Sequence, residues 1–124
     1  MALFESGEDY LEAILMLSEQ HDEIHAIDVV TKLGLSKPSV SIALKKLKDD
    51  NYITIDSNNH IHLTDKGYDI ANKIYERHKI LTSILVKLGV GEDIAEEDAC
   101  KLEHDLSDES WSAIKEASKK LGIK

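Results

Sequence analysis

Cysteine and proline are nearly missing from this 124-residue sequence, which holds only Cys100 and Pro38. A single thiol excludes an internal disulfide framework and suits a reducing setting. Long apolar runs are missing as well. None approaches the roughly 18 residues that a membrane span needs, so a transmembrane helix is excluded. Met1 to Ser6 has neither the basic start nor the apolar run of a signal peptide, and the cytoplasm is the expected compartment. No repeat, low-complexity tract or Pro/Gly linker interrupts the chain. Without a Cys pair there is no zinc-finger site, and without a Gly-rich oxyanion loop or a second base Cys100 is a poor catalytic nucleophile. What remains is 42% hydrophobic, enough to bury a core in one or two small units.

Charge of one sign is missing locally. The chain carries 24 acids against 15 Lys and Arg, a net charge of −9. Residues 1–30 contain eight acids and no Lys or Arg, whereas Thr31–Lys48 contains five lysines (Lys32, Lys37, Lys45, Lys46, Lys48) and no acid. A strongly acidic chain has concentrated positive charge in one block. Such a block can be a plain solvated helix face, so its meaning depends on what surrounds it.

Ser6 with Asp9 three residues on predicts a capping box, and Tyr10, Leu11, Ile14, Leu15 and Leu17 extend a helix over 7–20. Ile27–Leu33 reads as a short helix stopped by Gly34. Ser36 then fits an N-cap with Pro38 in the first turn, and Val40, Leu44 and Leu47 recur at helical spacing up to Asp49. Two helices joined by Leu33-Gly34-Leu35-Ser36 form a helix-turn-helix signature, with the lysines on its second member. Tyr52–Asp56 and His60–Leu63 flank the turn-rich Ser57-Asn58-Asn59 and predict a small hairpin, the wing of a winged helix. Thr64 caps a long helix to about Leu88, followed by Gly89-Val90-Gly91. Helices are expected at Asp93–Leu106 and after Ser107, the last stopped by Gly122. The fold expected is mainly α with a β-hairpin wing: an N-terminal winged helix-turn-helix over 1–63 and a helical C-terminal unit over 64–124, for which the family resemblance given below implies metal binding and dimerisation.

Residues at the start of the second helix of a helix-turn-helix reach base edges. Here these are Ser36, Lys37, Pro38, Ser39 and Ser41, able to hydrogen-bond or to touch a thymine methyl. Lys45, Lys46 and Lys48 have the reach for phosphates. The bland alternative is a winged helix used for protein contacts, but an acid-free lysine helix on an acidic chain makes an odd protein-binding face.

On the long helix the apolar stripe Ile70, Ile74, Leu81, Ile84, Leu85, Leu88 is interrupted by His78. A lone His of this kind is more often a hydrogen-bonded core residue than a ligand. Asp9 and Glu12 at i, i+3, however, and Cys100, Glu103 and His104 at i, i+3, i+4, each share one helix face. Carboxylate, imidazole and thiolate together suit a regulatory Fe(II) or Mn(II) site better than a structural zinc site. His60 and His62 share a face of the wing and could bind metal, but read better as wing residues beside a DNA backbone or simply exposed. His21 and His25 are assigned nothing, while Trp111 and Tyr75 read as core or dimer-interface aromatics.

The stretches Glu8–Ile14, Leu33–Ser41, Leu63–Gly67, Arg77-His78 and Ala99–Glu109 resemble the diphtheria toxin repressor and manganese transport regulator family of metal-dependent repressors. They cover nearly the whole chain in the family's order. The resemblance implies a homodimer built through C-terminal helices, two metal ions per subunit near the domain joint, and metal-promoted binding to a palindromic operator upstream of metal-uptake genes. Asp9, Glu12, His78, Cys100, Glu103 and His104 fall where the family's metal ligands lie. Cys100 matches the iron-type members, whereas Asp9 and Glu12 match the manganese type. Thr82 and Glu96 stand where iron-type members have the ligands of an ancillary site, so that site is not carried over. His78 and Glu12 would instead serve a second ion near the first, with Glu103 as bridge. The SH3-like third domain of iron-type members is expected to be absent.

The resulting expectation is a repressor and not an enzyme. Repulsion among Asp9, Glu12 and Glu103 would leave the winged helices loosely oriented, and metal would fix them at a spacing near one DNA turn, roughly 34 Å. Its rivals are a small zinc hydrolase and a metal-independent winged-helix interaction module.

Overall fold

A computed structural model of the chain describes residues 5–122, with side chains from Gly7 onward. Six helices and one two-stranded sheet follow in the order α1 (Glu5–Gln20), α2 (Ala26–Leu33), α3 (Lys37–Asp49), β1 (Ile53–Ile55), β2 (Ile61–Leu63), α4 (Asp65–Lys87), α5 (Glu92–Asp105) and α6 (Asp108–Lys120). The expected fold class is the one observed. The backbone divides into two compact units, Met1–Asn72 and Lys73–Lys124, with the division inside α4.

Local chemistry sets most boundaries. Helix α1 begins at Glu5, so Ser6 sits inside its first turn and not at its cap. The Ser6 side chain itself, on which the expected capping box rests, lies outside those described. α2 starts on a cap that the sequence reading passed over, His25, whose backbone N–H donates to the Asp28 carboxylate at 2.8 Å. Its end is Gly34, at φ 66° with its N–H on the Val30 carbonyl. Ser36 caps α3 as expected, accepting from the Ser39 N–H at 3.3 Å. Thr64 Oγ1 accepts from the Gly67 N–H at 3.1 Å, and Ser107 does the same for Ser110 at 3.1 Å.

Gly34 makes the turn between α2 and α3, and nothing lies within 4 Å of where its Cβ would stand. The cost of a side chain there is therefore conformational alone. Gly34→Ala is expected to destabilise the first unit by about 1 kcal/mol, a fall of roughly 4–8 °C in melting temperature, with Gly34→Asn losing less. Thermal melts of the two variants check the order.

The first unit packs α1, α2 and α3 against one another and against the hairpin. Leu11, Ile14, Val29, Val40, Leu44, Leu47, Tyr52, Ile53 and Ile61 form its buried interior. β1 and β2 are antiparallel with Ile53 opposite Leu63, Thr54 opposite His62 and Ile55 opposite Ile61. That register turns Ile53 and Ile61 inward and Thr54 and His62 outward. The Ile61 N–H also donates to the Ile24 carbonyl at 2.8 Å, tying the wing to the segment between α1 and α2.

In the second unit Leu81, Ala99 and Trp111 form a small core flanked by Ile80, Leu106 and Ile114. Lys115 Nζ donates to Glu76 at 2.7 Å across α4 and α6. Trp111 is thus a core residue, while Tyr75 is half-buried beneath the Lys79 ammonium, 4.2 Å from its ring centre. The expected stripe fails at Leu88, which is 76% exposed. α4 stops at Lys87, so Leu88 lies in the turn before Gly89 and no longer follows the helix face.

Candidate metal centre and nucleic-acid interface

Helix α3 divides cleanly between inside and outside. Val40, Leu44 and Leu47 are buried, and Ser36, Lys37, Pro38, Ser39, Ser41, Lys45 and Lys46 are all exposed. Its first turn offers hydroxyls, a ring and an ammonium to solvent, and its last two turns offer Lys45, Lys46 and Lys48. One residue of this face was missed by sequence reasoning. Ile42 is 72% exposed in the middle of the helix. An exposed Ile between Ser41 and Lys45 is chemically suited to thymine methyls.

In the same unit Asp9 and Glu12 lie one turn apart on α1, Asp9 half-buried and Glu12 only 6% exposed.

The second unit builds a polar cluster around Glu103, whose side chain is fully buried. His78 Nδ1 approaches Glu103 Oε2 at 3.1 Å, and His104 Nε2 stands 3.4 Å from Oε1. A carboxylate oxygen of Glu103 and Cys100 Sγ lie within 4.8 Å of each other, although Cys100 as a residue is exposed. Four residues nominated from spacing alone therefore converge within this unit. Helical periodicity places three of them one turn apart on α5, and α4 delivers the fourth.

Arg77 is the neighbour that sequence reasoning did not assign. Its guanidinium donates to the main-chain oxygens of Glu103 at 3.2 Å and Leu106 at 3.4 Å, and to Asp108 at 3.1 Å. It lies 5.5 Å from the Trp111 ring centre. Arg77 thus binds the open carbonyls at the end of α5 and holds α5, α6 and α4 together. It does not reach the Glu103 carboxylate. Its pairing with His78 in the sequence was the available signal.

A buried carboxylate needs a cation or full hydrogen bonding, because burying unpaired charge is expensive. Glu103 Oε1 is buried without a hydrogen bond, and the nearest guanidinium is engaged elsewhere. Carboxylate, two imidazoles and a thiol make a donor set that fits a divalent transition metal.

At the wing, Asp56 Oδ1 accepts from the N–H groups of Asn58 at 2.9 Å and His60 at 3.0 Å, and Oδ2 meets His62 Nε2 at 3.0 Å. The His62 contact first, then the His60 N–H, pull the Asp56 pKa down to about 2. A folded-state pKa below the ordinary carboxylate value means stabilisation that is present above about pH 4 and lost as pH falls toward 2. The 13Cγ resonance of Asp56 is expected to titrate near 2, and His62→Ala is expected to move that midpoint upward. His62 is exposed, as the sequence suggested. His60 is not: its side chain is only 17% exposed, covered by contacts with Glu23 and Asp56, and its ring meets that of His25 edge-on at 4.6 Å.

Two family models match the chain end to end. The iron-dependent repressor N-terminal DNA-binding domain matches residues 2–61, and the iron-dependent repressor metal-binding and dimerisation domain matches residues 64–122. The chain belongs to the iron-dependent repressor family. This is the diphtheria toxin repressor and manganese transport regulator group of metal-dependent transcriptional repressors. An uncharacterised helix-turn-helix transcriptional regulator of Methanocaldococcus jannaschii is 39% identical over 113 residues, covering 90% of both chains. The transcriptional regulator MntR of Escherichia coli O157:H7 is 34% identical over 117 residues, 94% of this chain and 76% of that protein. Among solved structures, the manganese regulator SloR superposes with a TM-score of 0.81 at 31% identity, covering 95% of this chain and 54% of that one. A manganese-dependent transcriptional repressor in complex with manganese gives 0.79 at 29% identity, with 95% and 53% covered. The chain spans about half the length of these solved relatives. Relatives of this iron-dependent repressor-family protein are named as transcriptional regulators and not as enzymes. No helix among its described residues is long and apolar enough to cross a membrane.

Proposed function

We propose that this protein is a DNA-binding repressor of metal-uptake genes whose co-repressor is Mn(II) or Fe(II), two ions per subunit. The observation that carries the reading is the buried Glu103 carboxylate, flanked by His78 and His104, in a chain whose other unit exposes a lysine-rich recognition helix. Asp9, Glu12, His78, Cys100, Glu103 and His104 are the residues we assign to the metal. A bound divalent cation would supply positive charge beside the buried Glu103 carboxylate.

Asp9 and Glu12 belong to the DNA-binding unit, and His78, Cys100, Glu103 and His104 to the other. A ligand set drawn from both makes metal affinity depend on how the recognition helix is carried, and by linkage makes DNA affinity depend on metal. Ser36, Lys37, Pro38, Ser39 and Ser41 would meet base edges, while Lys45 and Lys46 would neutralise phosphates. Cys100 favours iron and the carboxylate pair favours manganese. The similarity to manganese regulators adds weight to manganese.

Palindromic operators require two recognition helices, and a homodimer supplies them. Leu88, Ile94, Leu102 and Leu121 of the second unit are 41–76% exposed, apolar area that a second copy would cover.

The test is binding of an operator-length duplex from a metal-uptake promoter, titrated with Mn(II) and with anaerobic Fe(II) against a chelator control. Affinity should rise tenfold or more with one of the ions. Equal affinity with and without chelator would leave a metal-independent winged-helix regulator, and the Glu103 cluster would need another explanation.

A further inference from the structure

We infer that the first unit carries a pocket for a small apolar amine, in the cleft between the end of α1 with the segment that follows it, the wing strand β2 and the start of α4. Its lining comes from residues 14–24 and 61–68, so it lies wholly within the first unit. It encloses about 390 Å³, inside the range of clefts that take small molecules. None of its lining residues is assigned to metal or to base edges, so the site stands or falls independently of the repressor reading.

The fold builds the floor of this cleft from apolar side chains. Ile14, Leu15, Ile24 and Ile61 line it and are each at most 7% exposed, held in the interior of the unit. The Ile61 N–H donates to the Ile24 carbonyl at 2.8 Å and fastens the wing side of the cleft to the side that follows α1. The floor is therefore set before any ligand arrives, which spares binding the cost of ordering it.

The rim is polar, and its hydrogen-bonding sense is one-sided. Ser18 Oγ donates its only hydrogen to the Leu15 carbonyl at 2.6 Å, which leaves it lone pairs alone. His62 Nε2 faces Asp56 Oδ2 at 3.0 Å. A carboxylate can only accept, so a neutral imidazole keeps its hydrogen on that side and its Nδ1 becomes an acceptor. Asp22 adds a carboxylate, and neither Lys nor Arg is among the described residues that line the cleft. Such a rim calls for a hydrogen-bond donor with positive charge, and the floor calls for an apolar body. An ammonium on a short arm that bears one aromatic ring supplies both. Tyr68, 48% exposed, adds a ring that attracts either part. Because Ile61, His62 and Leu63 are the residues of β2, a bound amine would brace the wing against α1.

The test uses phenethylamine on the full-length chain, with hydrocinnamate as the same body bearing a carboxylate and ethylamine as the charge without the ring. Isoleucine methyl resonances report where each probe sits, which matters because a chain of net charge −9 attracts any amine weakly. Phenethylamine is expected to shift the Ile14, Ile24 and Ile61 methyls saturably, with a millimolar dissociation constant in keeping with so small a ligand, and to leave Ile114 of the second unit unmoved. Neither hydrocinnamate nor ethylamine is expected to saturate those shifts. Asp22 is exposed in the segment after α1, so Asp22→Asn should fold as wild type does and bind phenethylamine about fivefold more weakly. Shifts spread evenly over the isoleucines, an equal response to hydrocinnamate, or unchanged affinity in Asp22→Asn would each overturn the proposal.

Discussion

Replacing Gly67 by alanine is expected to destabilise the first unit by about 3 kcal/mol, a fall of roughly 12–24 °C in its melting temperature. Gly67 is buried in the first turn of α4, and a Cβ built on it collides with the carbonyl oxygen of Tyr52. The obstacle is backbone, which cannot rotate aside as a side chain can. It is also committed. The Tyr52 carbonyl accepts the Thr64 N–H at 3.1 Å, and Thr64 Oγ1 donates to the Asn51 carbonyl at 2.7 Å. Lys66 Nζ donates to the Asp50 carbonyl at 3.2 Å and lies 4.2 Å from the Tyr52 ring centre. Moving α4 outward to admit a methyl group stretches all of these contacts and opens the packing of Tyr52, which is 2% exposed. Gly91→Ser is the control. It sits at the N-cap of α5 with open space around its Cβ, and serine is a favoured cap, so its melting temperature should stay close to wild type.

Gly67 also marks where the sequence stops being informative. A glycine early in a helix signals a close approach, but nothing in the string says that Tyr52 is what approaches. Features decided within one turn were legible: Ser36, Thr64 and Ser107 as caps, Gly34 as a left-handed stop, Val40, Leu44 and Leu47 as the inner face of α3. The α2 cap was not, since the residue at the cap is His25 and the acid that answers it, Asp28, lies inside the helix. Spacing correctly put Cys100, Glu103 and His104 on one face of α5. It could not tell which of the three would be withdrawn from water, nor that His78 would meet the buried one. Arg77 and Asp56 went unassigned for the same reason. Their partners are 26 or more residues away for the first and across a turn for the second, and pairing at such distances is set by tertiary packing.

The second large effect is expected at Glu103. Glu103→Gln should abolish metal-promoted duplex binding at metal concentrations that saturate wild type, with the apparent metal affinity falling by at least about 100-fold. Glutamine keeps the shape and can still hydrogen-bond His78, so the packing of Leu81, Ala99 and Trp111 has no cause to change. The stability of the variant separates a metal ligand from a structural acid. If Glu103 served only to hold His78 and His104, its loss would lower the melting temperature with or without metal. As a ligand it behaves otherwise. Without metal, Glu103 Oε1 is a buried oxygen lacking a hydrogen bond, and replacing the charged group by a neutral one is expected to leave stability unchanged or to raise it. With metal at 100 times its dissociation constant, wild type gains about 2.7 kcal/mol from binding, and the variant gains almost none. Calorimetric melts of both proteins, with Mn(II) and with chelator, read all four values. Lys45→Ala completes the comparison from the other unit: it should retain the full metal-induced rise in melting temperature while weakening duplex binding and reducing its salt dependence by about one counterion. A protein in which one substitution removes the metal response and another removes only the DNA contact is one whose two activities are carried by different residues, one set in each unit.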